Sequence, residues 1–302
     1  MPPWLRELDS IRISDIAGKQ WIRQAIATPD GSLMYLVCIA GAKSSLLECR
    51  LEAATQTWSV QPMQTGANQP LCMVMGAALY GCALLLATDY VNHHVVVFTD
   101  GKADGEPLSA DKMRQPCAID TDGHRAFVAA SGTIYEFDLQ RRQCVASWPT
   151  ATTGSAAFAC DHGIALHDDR LFVVDRNGGS IHVFHCQGEH LFSFGSPGFG
   201  AGLLYQPYGV CVTRGHVLIS EHGGKCVQIF TLDGKPMGQL CPDPDGCGTL
   251  AHLSSDESSG RVLVADWDQH CVRQLQLLDG VSRTLSRASS RTNSASSSTF
   301  SS

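Results

Sequence analysis

No run of the sequence is long and apolar enough to cross a bilayer as a helix. The longest nearly uncharged stretch, roughly Gly76 to Thr88, has about 13 residues against the ~20 a spanning helix requires, and is expected as buried strand. Basic charge is not in excess either. At a formal net charge of −7 the chain lacks the positive field on which non-specific phosphate binding depends, so nucleic acid is a disfavoured partner. The segment from Met1 to Asp9 has acidic residues and no apolar core of secretory length, which gives a cytoplasmic location and no membrane association as the expectation. Cys-x-x-Cys pairs are absent although the chain holds 13 cysteines, an odd number set mostly in strand-like runs such as Val210-Cys211-Val212. Reduced thiols in a cytosolic protein are expected rather than a disulfide or zinc framework. Cys241 and Cys247, the nearest to a metal spacing, lie in a Pro/Asp/Gly-rich loop, and no metal or cofactor is expected. Gly-x-Ser-x-Gly does not occur, and no Cys or Ser sits beside a histidine in a triad-like way, so no catalytic residue is assigned.

What the sequence does have is internal repetition. One unit recurs at Asp89 to Phe98, Asp175 to Phe184, Glu221 to Phe230 and Asp266 to Leu275, with a β-branched residue six positions after the acidic one and Phe or Leu nine positions after it. The period is about 45 residues, the first gap spanning a degenerate copy around Gly132 that has lost its acidic residue. A weaker copy lies upstream, around Leu33–Ile39 and Ser45–Leu51. Alternation and turn residues divide the copy at Gln206–Leu240 into four short strands, with turns at Arg214-Gly215, Glu221–Gly224 and Asp233-Gly234. Four strands per repeat is the dimension of a propeller blade, whose small sheet is buried on both faces only when neighbours pack around it in a ring.

The motif Asp89-x-x-Asn92-His93-x-Val95-x-Val97-Phe98 resembles the signature of the NHL repeat. The glycine-rich joint from Phe192 to Gly202, leading into Gln206-Pro207-Tyr208-Gly209-Val210, is similar to that family's connection between blades. The resemblance covers roughly residues 22 to 280 and implies an all-β, six-bladed β-propeller of four-stranded antiparallel blades. Blades are expected at about 22–64, 69–108, 115–150, 160–197, 206–243 and 250–280, with residues 10–16 supplying the strand that closes the last blade and the ring. Residues 281–302 form a Ser/Arg-rich tail expected to be disordered, with Ser286 and Ser294 three positions after Arg283 and Arg291 as candidate phosphorylation sites.

In a propeller, the openings of the innermost strands and the turns between second and third strands share one end. That end is expected to display Tyr90, His93, His162, Arg176, Tyr208, His222, Trp267 and His270 to a partner, as exposed aromatic, histidine and arginine side chains form binding hot spots. Asp89, Asn92, Asp175, Glu221 and Asp266 are read as turn anchors, since a catalytic carboxylate has no need to recur in each blade. The residues expected to point at the axis are Leu71, Cys117, His162, Tyr208 and Ala251, with His252 adjacent. Three readings stay open: a non-catalytic scaffold binding a protein or peptide as a monomeric propeller, a metal-dependent lyase or lactonase of the propeller type, and a binder of single-stranded RNA such as the resemblance implies for some members. The ligase activity of relatives with RING and B-box modules is not implied, because the cysteine pattern of those modules is missing.

Overall fold

The computed structural model describes residues 5–7, 11–12, 20–40, 43–55, 57–63, 71–150, 158, 162–240 and 248–278. The tail with Ser286 and Ser294, and the loop with Cys241 and Cys247, lie outside them. Six antiparallel sheets follow one another along the chain. Blade 1 is Trp21–Ala27, Leu33–Ala40, Lys43–Glu52 and Thr57–Pro62, and blade 2 is Val74–Tyr80, Leu84–Asp89, His94–Thr99 and Lys102–Ala103. Blade 3 is Pro116–Thr121, Arg125–Ala130, Thr133–Asp138 and Gln143–Pro149, and blade 4 is Ile164–His167, Arg170–Asp175, Ser180–His185 and His190–Phe194. Blade 5 is Pro207–Thr213, His216–Glu221, Cys226–Thr231 and Pro236–Leu240. Blade 6 has Leu250–Asp256, Arg261–Asp266 and Cys271–Leu277, and its outer edge is taken by the N-terminus. Ile11–Arg12 pairs with Val272 and Cys271, inside the expected closing segment, and Leu5–Glu7 adds a second pairing, with Leu277 to Leu275. The chain is therefore an all-β, six-bladed propeller closed by its N-terminal strands.

The repeat's two offsets explain the ring. Positions six and nine after the anchor are three apart on one strand, and side chains alternate along a strand, so the two face opposite ways. In blade 5, Val227 packs with Leu253, Val262 and Leu275 of blade 6, while Phe230 packs with Phe172 and Val183 of blade 4. Blade 2 does the same with Val95 toward blade 3 and Phe98 toward blade 1. Each blade thus needs a neighbour on both sides. Blade 3 keeps its strands without an acidic anchor because its turn is only Ser131-Gly132, both at positive φ (45° and 76°), the geometry of a tight two-residue hairpin that holds itself.

Innermost strands of neighbouring blades are not paired with each other, so their backbone groups need other partners. Side chains supply them. The Gln24 amide donates to Ala77 O and accepts from Ala77 N–H, both at 2.9 Å, and Ser254 Oγ donates to Ala25 O at 2.6 Å. Register irregularities interrupt the first strand of blades 1, 2, 3, 5 and 6 near its opening, and the freed groups are met locally. Gly76 N–H donates to Thr88 Oγ1 and Gly209 N–H to Ser220 Oγ, each at 2.9 Å. These two glycines and Gly163 share a further role: a Cβ on any of them would stand within 3.0 Å of backbone in the next blade's first strand. Among the described residues the ten cysteines carry thiols rather than disulfides, and no helix is long and apolar enough to cross a membrane.

Candidate functional site

The acidic residues tie the turns at one end of the ring. Asp89, fully buried, accepts from the N–H groups of Cys72 (2.7 Å), Val91 (3.2 Å) and Asn92 (3.1 Å), and from the Asn92 side-chain amide (3.0 Å). Asp175 accepts from Gly178 N–H at 2.8 Å, and Glu221 from Tyr205 N–H at 2.9 Å. Asp266 accepts from Gln269 N–H at 3.1 Å and pairs with Arg273 at 2.8 Å. With the turn so fixed, the residue one position after the anchor leads toward the axis, and the residue four positions after it takes positive φ. His93 (60°), Lys225 (53°) and His270 (49°) occupy the latter place.

This division sorts the candidates. Arg176, His222 and Trp267, each one position past its anchor, converge with His162 around Tyr208. His93 and His270 do not join them: Gln115 N–H donates to His93 Nδ1 at 3.1 Å, and His270 Nδ1 contacts Gln20 O at 2.9 Å, so both rings brace backbone. Tyr90 is half-buried, its N–H donating to Met73 O at 2.8 Å. Tyr208 differs from the expectation of an exposed anchor. The irregularity in its strand turns it to the axis, where it is only 4% exposed beneath the other rings. The His162, His222 and His252 rings lie 4.6, 5.4 and 5.2 Å from it, His222 stacks against it, and Trp267 reaches on to Trp21 at 5.9 Å.

Two arginines complete this cap. Arg176 Nη1 meets His162 Nε2 at 3.1 Å, and its guanidinium stands 5.6 Å from the Tyr208 ring centre. Arg23 stands 5.1 Å from the same ring; its Nε donates to Met75 O at 2.5 Å and its Nη1 to the Tyr208 hydroxyl. Arg23 is the residue of the blade 1 irregularity that has no register partner, is 4% exposed, and leaves Nη2 buried with no hydrogen-bond partner among the described residues. Burial, and then Arg23 and Arg176, hold the His162 imidazole down to about 3. Burial and Arg176 lower His222, while burial and then Arg23 put His252 well below its ordinary range. The cap at neutral pH is thus two guanidiniums among neutral imidazoles and a phenol whose own pKa burial raises.

Sequence reasoning missed Arg23 and Trp21, which stand in the weakest repeat, and ranked Ala251 ahead of His252. Ala251 packs between blades 6 and 1, and Leu71 against the core between blades 1 and 2. Beside the cap, the joint between blades 4 and 5 exposes Phe199 (70%) and Tyr205 (40%), their rings 4.4 Å apart and Tyr205 lying against Gly223. A signal existed in the aromatic residues among the joint's glycines.

The opposite end of the axis is a cavity of about 600 Å³ lined by the first strands of all six blades. Its walls carry Asp120, Asp122, Asp168 and Glu257. Burial lifts the Asp120 carboxyl to about 6, against the hydrogen bonds it accepts from Leu166 N–H (2.8 Å) and Thr121 N–H (2.9 Å). Among the described residues, no three His, Cys, Asp or Glu side chains are grouped as a metal ion would require.

No protein-family model matches the chain, and no curated protein matches it. Among solved structures, a catalytically inactive histidine-to-alanine variant of virginiamycin B lyase from Staphylococcus aureus, crystallised with quinupristin, is similar with a TM-score of 0.63 at 14% identity. The match covers 91% of this chain and 99% of that one, and it places the chain among six-bladed β-propellers.

Proposed function

We propose that this chain is an NHL-type propeller acting in the cytoplasm as a non-catalytic, monomeric scaffold that binds a protein or peptide segment at the capped end of its axis. The observation that carries this reading is the convergence of Arg176, His222 and Trp267 from three blades on one buried tyrosine, beside the exposed Phe199–Tyr205 pair. Aromatic rings and arginine next to a desolvated floor are the make-up of a binding hot spot. Short peptides selected on the immobilised protein provide the test. Their binding should fall in Trp267→Ala and Phe199→Ala and persist in Arg141→Ala, which changes an exposed side chain on the outer part of blade 3. Selected peptides indifferent to the first two changes would move the binding surface elsewhere.

A lyase is the second reading, favoured by three neutral imidazoles around a phenol at the end of the axis, a possible source and sink of protons. Mass spectrometry of selected peptides after incubation decides it, since a new product would replace the scaffold reading.

A further inference from the structure

We infer that Arg23 and Arg176 form a receptor for a carboxylate group of the docked peptide, an inference that rests on peptide docking at the capped end. Arg23 is a guanidinium removed from water, with Nη2 unpaired among the described residues and its two hydrogen bonds made to a neutral carbonyl and a neutral phenol. Among the described residues no carboxylate pairs with it or with Arg176. Asp268, the acidic group that faces His222, is held by Thr249 through its N–H (3.0 Å) and hydroxyl (2.7 Å). Two positive charges therefore share a low-dielectric cap in which every titratable ring is neutral. Burying a cation without a counter-charge is costly, and proteins keep such groups where a ligand supplies the missing charge.

The chemistry of the cap favours a carboxylate. Its two coplanar oxygens match the open edge of a guanidinium, and neutral histidine N–H groups add donors without further charge. Apolar surface is at hand for the residues of the peptide that follow: the Trp21–Trp267 stack, which meets His222 through Trp267, and the Phe199–Tyr205 pair, which lies against Gly223. Arg176 is half-buried and meets the incoming group first, while Arg23 lies deeper.

The carboxylate has two possible sources, a chain's C-terminus or an Asp or Glu side chain. Arrays of short randomised peptides separate them: one set ending in a free acid, one in an amide, each made with and without internal Asp and Glu. Binding is expected to the sets that carry a carboxylate and to drop about thirtyfold or more in Arg176→Met, with a smaller loss in Arg176→Lys. Arg23→Met should give the same loss; if it fails to fold, Arg23→Lys, which keeps the charge and loses the planar fork, should weaken binding to a lesser degree. Preference for the free-acid set alone assigns the C-terminus, and preference for acidic residues in the amide set assigns the side chain. Equal binding of neutral amides that still depends on Trp267 would overturn the carboxylate receptor and leave peptide docking standing. Binding by neither set would overturn both, and a phosphopeptide set bound in preference would replace the carboxylate with a phosphate.

Discussion

Replacing Gly209 with alanine tests how the blades are spaced around the axis. A methyl there would lie 2.7 Å from Leu253 N, 2.8 Å from His252 Cα and 3.0 Å from Ser220 Oγ. The first two are backbone atoms of the next blade's first strand, which Ser220 Oγ also holds through Ala251 O at 2.5 Å, so neither recedes unless a strand moves. Gly209 is not at positive φ, and the cost is therefore steric. Overpacking of this kind costs about 1–3 kcal/mol, here toward the upper end because backbone is struck. Loss of glycine's freedom in the unfolded chain offsets ~0.4–1 kcal/mol, leaving a net destabilisation of about 2 kcal/mol. In urea the midpoint should fall by roughly 1 M or somewhat less with the slope unchanged. Gly215 provides the contrast, with no atom within 4 Å of its Cβ position but φ at +71°. Gly215→Ala should cost about 1 kcal/mol for conformation alone, and Gly215→Asn should recover part of it because asparagine accepts that φ. Gly209→Asn should instead be worse than Gly209→Ala. A Gly209→Ala protein as stable as the parent, or an asparagine better tolerated at 209 than at 215, would refute close approach as the reason for the glycine.

Acid should loosen the cap. With His162 held at about 3 in the fold, protons bind the unfolded chain preferentially from about pH 6.5 downward, so stability falls with pH, by about 3 kcal/mol from this residue at pH 4. His162→Leu should flatten that limb in urea titrations. Asp120 works in the opposite sense: its folded carboxyl at about 6 takes up a proton more readily than the unfolded one, so its share of stability is lost as pH rises from about 4 to about 6. Asp120→Asn should remove that fall, and an unchanged pH profile would show the carboxyl to be better hydrated than its position implies. Deleting residues 1–12 strips the partners of Cys271–Leu277 and bares an edge strand. The truncated protein should melt lower and self-associate in light scattering; a monomer with unchanged melting would contradict ring closure by the N-terminus.

The repeat was legible because every blade meets the same demand. A sheet with neighbours on both faces must carry large apolar groups of both parities on its third strand, and the Val95/Phe98 and Val227/Phe230 pairs answer it in the same places. The cap meets no repeated demand. The position after the anchor holds Tyr90, Arg176, His222 and Trp267 in successive strong copies, so the period that announces the blade is silent about what the position does. Arg23 was harder still, since it lies in the copy with the weakest pattern and is aimed by an extra residue in its strand, a backbone event that no residue type signals. The same event in blade 6 swaps the parity of Ala251 and His252, so counting along an alternating strand names the wrong residue by one. Tyr208 obeys the same logic in reverse: the repeat locates it, but its burial depends on two histidines and an arginine from other blades, together with His222 of its own, that no local pattern brings near it. Recurrence therefore marks what holds the ring, and the chemistry has to be sought where copies disagree and where the strands nearest the axis slip out of register.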